Sequence, residues 1–247
     1  MPIVFLSPST QDWNPYVTGS GSEEYWMNRI VDAMEPYLRS NGIRYRRNDP
    51  DTSAGAAILE ANSGYYDFYL ALHSNAIGNG SAQTSARGII AFYYPGSAGG
   101  QRGAELIAKN LREIYPLPDK VTTRPTTALG EVSRSRFPAV LVEIGYHDNY
   151  SDALWLESHV EDVARQLVKA LTEYFGLPFI PPMDPKRGTV RLSYGTLNLR
   201  STPSPAGTVI ANLPNGAEVT VYGEWNGWYV VQYGDQVGYA AAAYIDV

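Results

Sequence analysis

The feature that most restricts the fold is a change of rhythm around "GLPFIPPMDPKRG", residues 176 to 188, which holds four prolines and no periodicity. Proline fixes φ and lacks an amide donor, so the run reads as a semi-rigid linker, placed at residues 178–187. Before it, short apolar runs alternate with long stretches of helical spacing. After it come only short alternating runs punctuated by turn residues. The first pattern predicts an α/β fold over residues 1–177, a mostly parallel sheet flanked by helices. The second predicts a small all-β barrel over residues 188–247.

The strand candidates of the first part are "PIVFLS", "GIRYRR", "YDFYLALH", "RGIIAFYY" and "PAVLVEIG". Residues 22–39 carry Trp26, Ile30, Ala33, Met34, Tyr37 and Leu38 at helical spacing behind a Ser22 cap, with Pro36 an awkward fit inside. "SAGGQRGAELIAKNLREIY" and "SDALWLESHVEDVARQLVKALTEYF" repeat that spacing. In the last part, Pro214-Asn215-Gly216, Asn226-Gly227 and Gly234-Asp235 mark turns.

Composition excludes several functions. The 247 residues are 44% apolar, with a formal net charge of −6 and no lysine/arginine run of the kind that nucleic acid or an anionic membrane needs. No apolar stretch approaches the roughly 20 residues of a membrane span. The start, "MPIVFLSPST", has no basic n-region and reads as a first strand. With no cysteine, disulfides, thiolate metal sites and a cysteine nucleophile are excluded, while the redox compartment stays open.

Ligands of a parallel α/β sheet gather beyond the carboxyl ends of its strands. "YLALH" delivers His73 there, and "AVLVEIGYH" delivers Glu143 and then His147. The loop after the first strand and the helix start add Gln11, Asp12, Glu23 and Glu24. Histidine and carboxylate ligands with one further free carboxylate suit metal-assisted hydrolysis, because a bound zinc lowers the pKa of its water to about 7 while the carboxylate carries the proton. His73 could equally be a hydrogen-bonded core residue, and Glu23 and Glu24 could simply complement the helix dipole. Glu143, after "PAVLV", would be costly to bury unless paired, metal-bound or functional. His159, inside the last helical stretch, reads as structural.

In order along the chain, "EYWMN", "LHSN" and "PAVLVEIGYHDN" resemble the motifs of the zinc-dependent N-acetylmuramoyl-L-alanine amidases, hydrolases of the bacterial cell wall. The resemblance implies Glu24 and His73 as zinc ligands and Glu143 as the catalytic acid/base. Asn75 would shape the loop around the metal. The tail, with "LNLRSTP", "NGWYVV" and "GYAAAAY", is similar to bacterial SH3-like domains, which implies wall binding. The partner implied is peptidoglycan, with no nucleic acid and no membrane span.

One departure bears on the metal. The family pattern has a histidine ligand after the first strand, where "LSPSTQDWN" places Thr10, with Gln11 next. The repair expected is His147, giving Glu24, His73 and His147 as zinc ligands with Gln11 and Asn75 around them. Gln11 as a direct ligand, or loss of the metal site, are the alternatives. The resulting expectation is a peptidoglycan hydrolase that cleaves the amide between N-acetylmuramic acid and L-alanine. A wall-binding protein without activity and a zinc peptidase acting on the stem peptide are the rivals. Such a hydrolase without a leader suits a lysin released at phage lysis or a secreted chain whose leader has been removed.

Overall fold

The computed structural model describes residues 1–77 and 84–247. It begins with β1 (Ile3–Pro8), α1 (Glu23–Ser40), β2 (Arg44–Arg47), α2 (Ala54–Ser63) and β3 (Phe68–Asn75). It continues through β4 (Ile89–Tyr93), α3 (Ala98–Arg112), β5 (Val121–Pro125), α4 (Gly130–Ser133), β6 (Ala139–Tyr146), α5 (Tyr150–Ser158) and α6 (Val160–Phe175). The five expected strands are present, and β5, α2 and α4 join them.

These strands form one sheet in the order β2-β1-β3-β6-β4-β5. β1 with β3, β3 with β6 and β4 with β5 run parallel, while β4 lies antiparallel to β6. Every residue of β3 up to Ser74 is buried, the mark of a central strand covered on both faces. β6 is buried over Ala139–Val142 and interrupted at Glu143. On one face Tyr69, Ala71, Ala139 and Leu141 pack with Phe5, with Ala57 and Ala61 of α2 and with Val132 of α4. The two-residue period of a strand then places His73 and Glu143, direct register partners, next on that face.

Ser22 caps α1 by accepting the Tyr25 amide (3.2 Å), and Pro36 is accommodated within the helix. The expected single helix over residues 151–175 is two, α5 and α6, because the chain breaks at His159. Its Nδ1 lies 2.8 Å from the Trp155 carbonyl and its ring stacks on Trp155, which makes it the structural residue expected.

The C-terminal strands are β7 (Lys186–Val190), β8 (Thr196–Arg200), β9 (Val209–Pro214), β10 (Glu218–Trp225), β11 (Trp228–Tyr233), β12 (Gln236–Ala241) and β13 (Ile245–Asp246). They form a second sheet, antiparallel in the order β13-β7-β10-β11-β12-β8-β9, around Val190, Leu199, Val221, Val231 and Ala240. Asn226 (φ 46°) and Gly227 (φ 80°) make the tight turn between β10 and β11, where both central residues need positive φ.

By internal contacts the chain divides into two compact units, Ile3–Met34 with Tyr45–Tyr174, and Met1–Pro2 with Glu35–Arg44 and Phe175–Val247. Within the second, the proline-rich segment is held rather than loose. Buried Asn41 accepts the Ile180 amide (2.6 Å) and donates to the Ile180 carbonyl (2.9 Å), which also accepts from the Ser40 hydroxyl (2.8 Å). Among the described residues, no helix is long and apolar enough to cross a membrane.

Candidate active site

The chemistry gathers at the carboxyl ends of the central strands. His73, the last residue but two of β3, is enclosed, and each edge of its ring meets a carboxylate. Nδ1 lies 2.8 Å from Oε1 of Glu23, at the start of α1, and Nε2 lies 2.8 Å from Oε2 of Glu131, in α4. Glu23 is 1% and Glu131 5% exposed, so neither charge is solvated and each requires partners. Glu131 receives two more donors, the Ser7 hydroxyl (2.7 Å) and the Tyr69 hydroxyl (2.9 Å). Glu23 receives the Asn14 amide (2.8 Å).

Burial alone would strip His73 of its charge, but the hydrogen bonds to Glu131 and Glu23 outweigh it and hold the pKa well above the usual histidine range. Burial likewise raises both carboxyls, and the His73 cation reverses this, leaving Glu23 and Glu131 below the usual carboxylate range. The cluster is therefore an imidazolium between two carboxylates, carrying one net negative charge.

Glu143 stands beside it with Oε2 enclosed and without a hydrogen-bond partner. Burial lifts its pKa to about 7, with His73 opposing the rise and Glu23 and Glu131 adding to it. Two residues on, Gly145 takes φ 74° and makes an irregular turn within β6, where the register against β3 shifts before Tyr146 pairs with Asn75. Asp152 holds that turn by accepting the Tyr146 amide (3.1 Å) and the Arg87 guanidinium (2.7 Å). A cleft of about 370 Å³, lined by Ser7, Ser9, Gln11, Trp13, His73 and Glu131, opens onto the cluster.

The expected ligands do not converge. His73 is central, but Glu23 and not Glu24 meets it. Successive helical residues point about 100° apart, and the Glu24 carboxylate instead accepts from the Asn28 amide (3.0 Å) and lines a separate cleft with Thr10, Asp12 and Trp13. His147 is buried against Tyr16, with ring centroids 5.7 Å apart. Its Nδ1 donates to the Ser74 carbonyl (3.0 Å), and its enclosed Nε2 has no partner. The Gln11 amide comes within 3.4 Å of His73 Nδ1. The Asn75 side chain accepts the neighbouring Ala76 amide (2.8 Å) and its carbonyl accepts the His147 amide (2.9 Å).

A catalytic zinc takes three protein donors plus water. Glu23 and Glu131 sit at opposite edges of the imidazole and cannot meet one ion together with it. Among the described residues, no group of three or more histidine, aspartate or glutamate side chains is placed to hold a metal. The arrangement does not fit the expected zinc site of Glu24, His73 and His147. Glu131 escaped the sequence because it lies in "TALGEVSRS", where neither strand nor helix spacing marks it, and its one signal is an acid set directly before apolar Val132.

Comparison with known proteins places this chain in a family. Residues 10–173 match the N-acetylmuramoyl-L-alanine amidase family model and residues 195–246 the bacterial SH3 domain model. The chain is 28% identical over 170 residues to N-acetylmuramoyl-L-alanine amidase LytC of Bacillus subtilis (strain 168), covering 67% of this chain and 34% of that protein, so it spans about a third of that relative's length. The fold is similar to N-acetylmuramoyl-L-alanine amidase AmiC2 of Nostoc punctiforme (TM-score 0.62, 16% identity), over 71% of this chain and 97% of the other. It is also similar to the catalytic domain of CwlV, an N-acetylmuramoyl-L-alanine amidase from Bacillus (Paenibacillus) polymyxa var. colistinus (TM-score 0.61, 17% identity), over 71% and 99% of the two chains. With a mixed α/β sheet, the strand-end cluster and a family match over most of its length, the chain belongs to the N-acetylmuramoyl-L-alanine amidase family and carries a C-terminal bacterial SH3 domain.

Proposed function

We propose that this protein hydrolyses the amide bond between the lactyl group of N-acetylmuramic acid and the L-alanine of the peptidoglycan stem peptide, with Glu143 carrying the proton. Family membership supports the substrate class. The observation that carries the role of Glu143 is its enclosed, unpartnered carboxylate oxygen beside the His73 cluster at the carboxyl ends of the central strands. A carboxyl that titrates at about 7 can both accept and return a proton near neutrality.

Ionised Glu143 takes a proton from water as the water oxygen bonds to the lactyl carbonyl carbon. The C–N bond then breaks, and protonated Glu143 returns its proton to the departing alanine nitrogen. His73 does not itself move a proton, since both ring nitrogens are engaged. Fixed between Glu23 and Glu131, it puts a positive charge beside Glu143 and restrains its pKa from rising further. Glu131 is the positioning residue, anchored in turn by Ser7 and Tyr69. Zinc is the cofactor the family resemblance implies. Because the donors on this chain do not fit a three-ligand site, no step is assigned to it.

Product analysis tests this reading. Digestion of purified peptidoglycan by the proposed amidase releases peptides with free L-alanine amino termini, whereas cleavage within the stem would replace the reading with that of a peptidase.

A further inference from the structure

Nothing in the core calls for Trp13. It stands in the loop between β1 and α1, 69% exposed, so the interior gains little from its ring. The loop is nevertheless fixed, and fixed by the active-site cluster. Two residues before Trp13, the Gln11 side-chain amide lies 3.4 Å from His73 Nδ1. One residue after it, the Asn14 side chain donates to Glu23 Oε2 (2.8 Å) and to Gln11 Oε1 (3.2 Å), and the Asn14 carbonyl accepts the Glu23 amide (2.9 Å). The Trp13 backbone is thereby tied to His73 and Glu23.

Trp13 lines two clefts. One, of about 370 Å³, runs past Ser9 and Gln11 to His73 and Glu131. The other, of about 360 Å³, is lined by Thr10, Asp12, Glu24, Asp51 and Thr52. Among the described residues, neither cleft has a lysine or arginine in its walls. An exposed indole among hydroxyls, amides and carboxylates suits a sugar ring. The plane receives the C–H face of a pyranose by dispersion contact, and hydroxyl groups at the ring edge donate to the surrounding oxygens.

We propose that Trp13 is a specificity-determining residue for the sugar half of the substrate, its indole carrying the N-acetylmuramic acid ring beside the scissile amide. Connectivity and charge select this occupant. The muramoyl ring is joined to the scissile carbonyl by only the lactyl ether oxygen and one carbon, so it lies next to the cluster. The carboxylates of the stem peptide are repelled by these acidic walls. An amine-bearing side chain two residues beyond L-alanine lies about 7 Å or more further along an extended peptide, away from the scissile bond. The assignment rests on the amidase reading and names the part of the substrate that Trp13 recognises.

The test measures kcat and KM of the full chain on two synthetic substrates, an N-acetylmuramoyl pentapeptide and the same pentapeptide bearing only a D-lactyl group. Release of L-alanine amino termini is the readout. Trp13→Ala lowers kcat/KM on the muramoyl substrate about tenfold, as for loss of one stacked ring, and lowers it far less on the lactyl substrate. Trp13→Tyr, which keeps an aromatic plane, retains most of the preference for the sugar. An equal loss on both substrates assigns Trp13 to the peptide or to the loop and overturns the proposal, as does an unchanged preference in Trp13→Ala. A parent chain that cleaves neither substrate refutes the amidase reading instead. Calorimetry with peptide-free glycan strands then reads the ring contact without turnover: Trp13→Ala binds them about tenfold more weakly than the parent, and equal binding overturns the proposal.

Discussion

At the scale of single residues, the account turns on carboxylates in different electrostatic positions. Glu143→Gln is expected to lower turnover by about 10² to 10⁴-fold while the fold stays intact, measured by release of amino termini from peptidoglycan alongside circular dichroism. The same change has a stability signature. A carboxyl whose pKa rises from about 4.3 unfolded to about 7 folded binds its proton more tightly in the native state. Stability therefore falls as pH rises between those values. Glu143→Gln removes that loss, so the variant should be more stable than the parent at pH 8, with the difference vanishing below about pH 4, as urea unfolding at the two pH values would show. Activity that needs ionised Glu143 should rise with pH through about 7. Glu131→Gln removes one wall of a buried charge cluster and should cost about 3 kcal/mol in denaturant unfolding. The enclosed position of Glu143 was legible in the sequence because it follows five apolar or small residues at a strand end. Glu131 was not, because its significance comes entirely from Ser7, Tyr69 and His73, which are distant in sequence.

At the scale of elements, the first turn of α1 decides which glutamate serves the site. The resemblance of "EYWMN" to the family motif implied Glu24; in the structure its carboxylate accepts from the Asn28 amide, and it is Glu23 that meets His73. Glu23→Gln should therefore reduce turnover by at least tenfold, whereas Glu24→Gln should leave it within about twofold; equal losses in both would contradict the placement. The buried strands were readable from their apolar runs. β5 was missed because "VTTRP" has only one buried position, and α2 because its "AGAAILEANS" lacks a sustained polar face. At the end of β6, Gly145 needs its positive φ, and a Cβ there would approach Asp152 to 3.3 Å. Gly145→Ala is expected to cost about 1 to 2 kcal/mol in thermal or chemical unfolding, through left-handed strain.

At the scale of the whole molecule, the two rhythms on either side of the prolines correspond to a mixed α/β sheet and an antiparallel one. Those rhythms could not reveal that residues 35–44 belong with the C-terminal barrel, since their helical spacing continues unbroken from the first unit. The tie is Asn41, whose side chain holds Ile180 and whose carbonyl accepts the Tyr239 hydroxyl (3.0 Å). Asn41→Ala leaves the buried Ile180 amide unpartnered, while the backbone carbonyl that holds Tyr239 remains, and should cost about 2 kcal/mol and expose residues 176–185 to limited proteolysis. The central claim, that this chain cuts the muramoyl–alanine amide with Glu143 moving the proton, is tested most directly by digesting purified peptidoglycan with the parent chain and with Glu143→Gln and sequencing the released amino termini. The account predicts free L-alanine termini from the parent and almost none from the variant. Termini from within the stem, equal release by both chains, or binding of the wall with no release by either would contradict it.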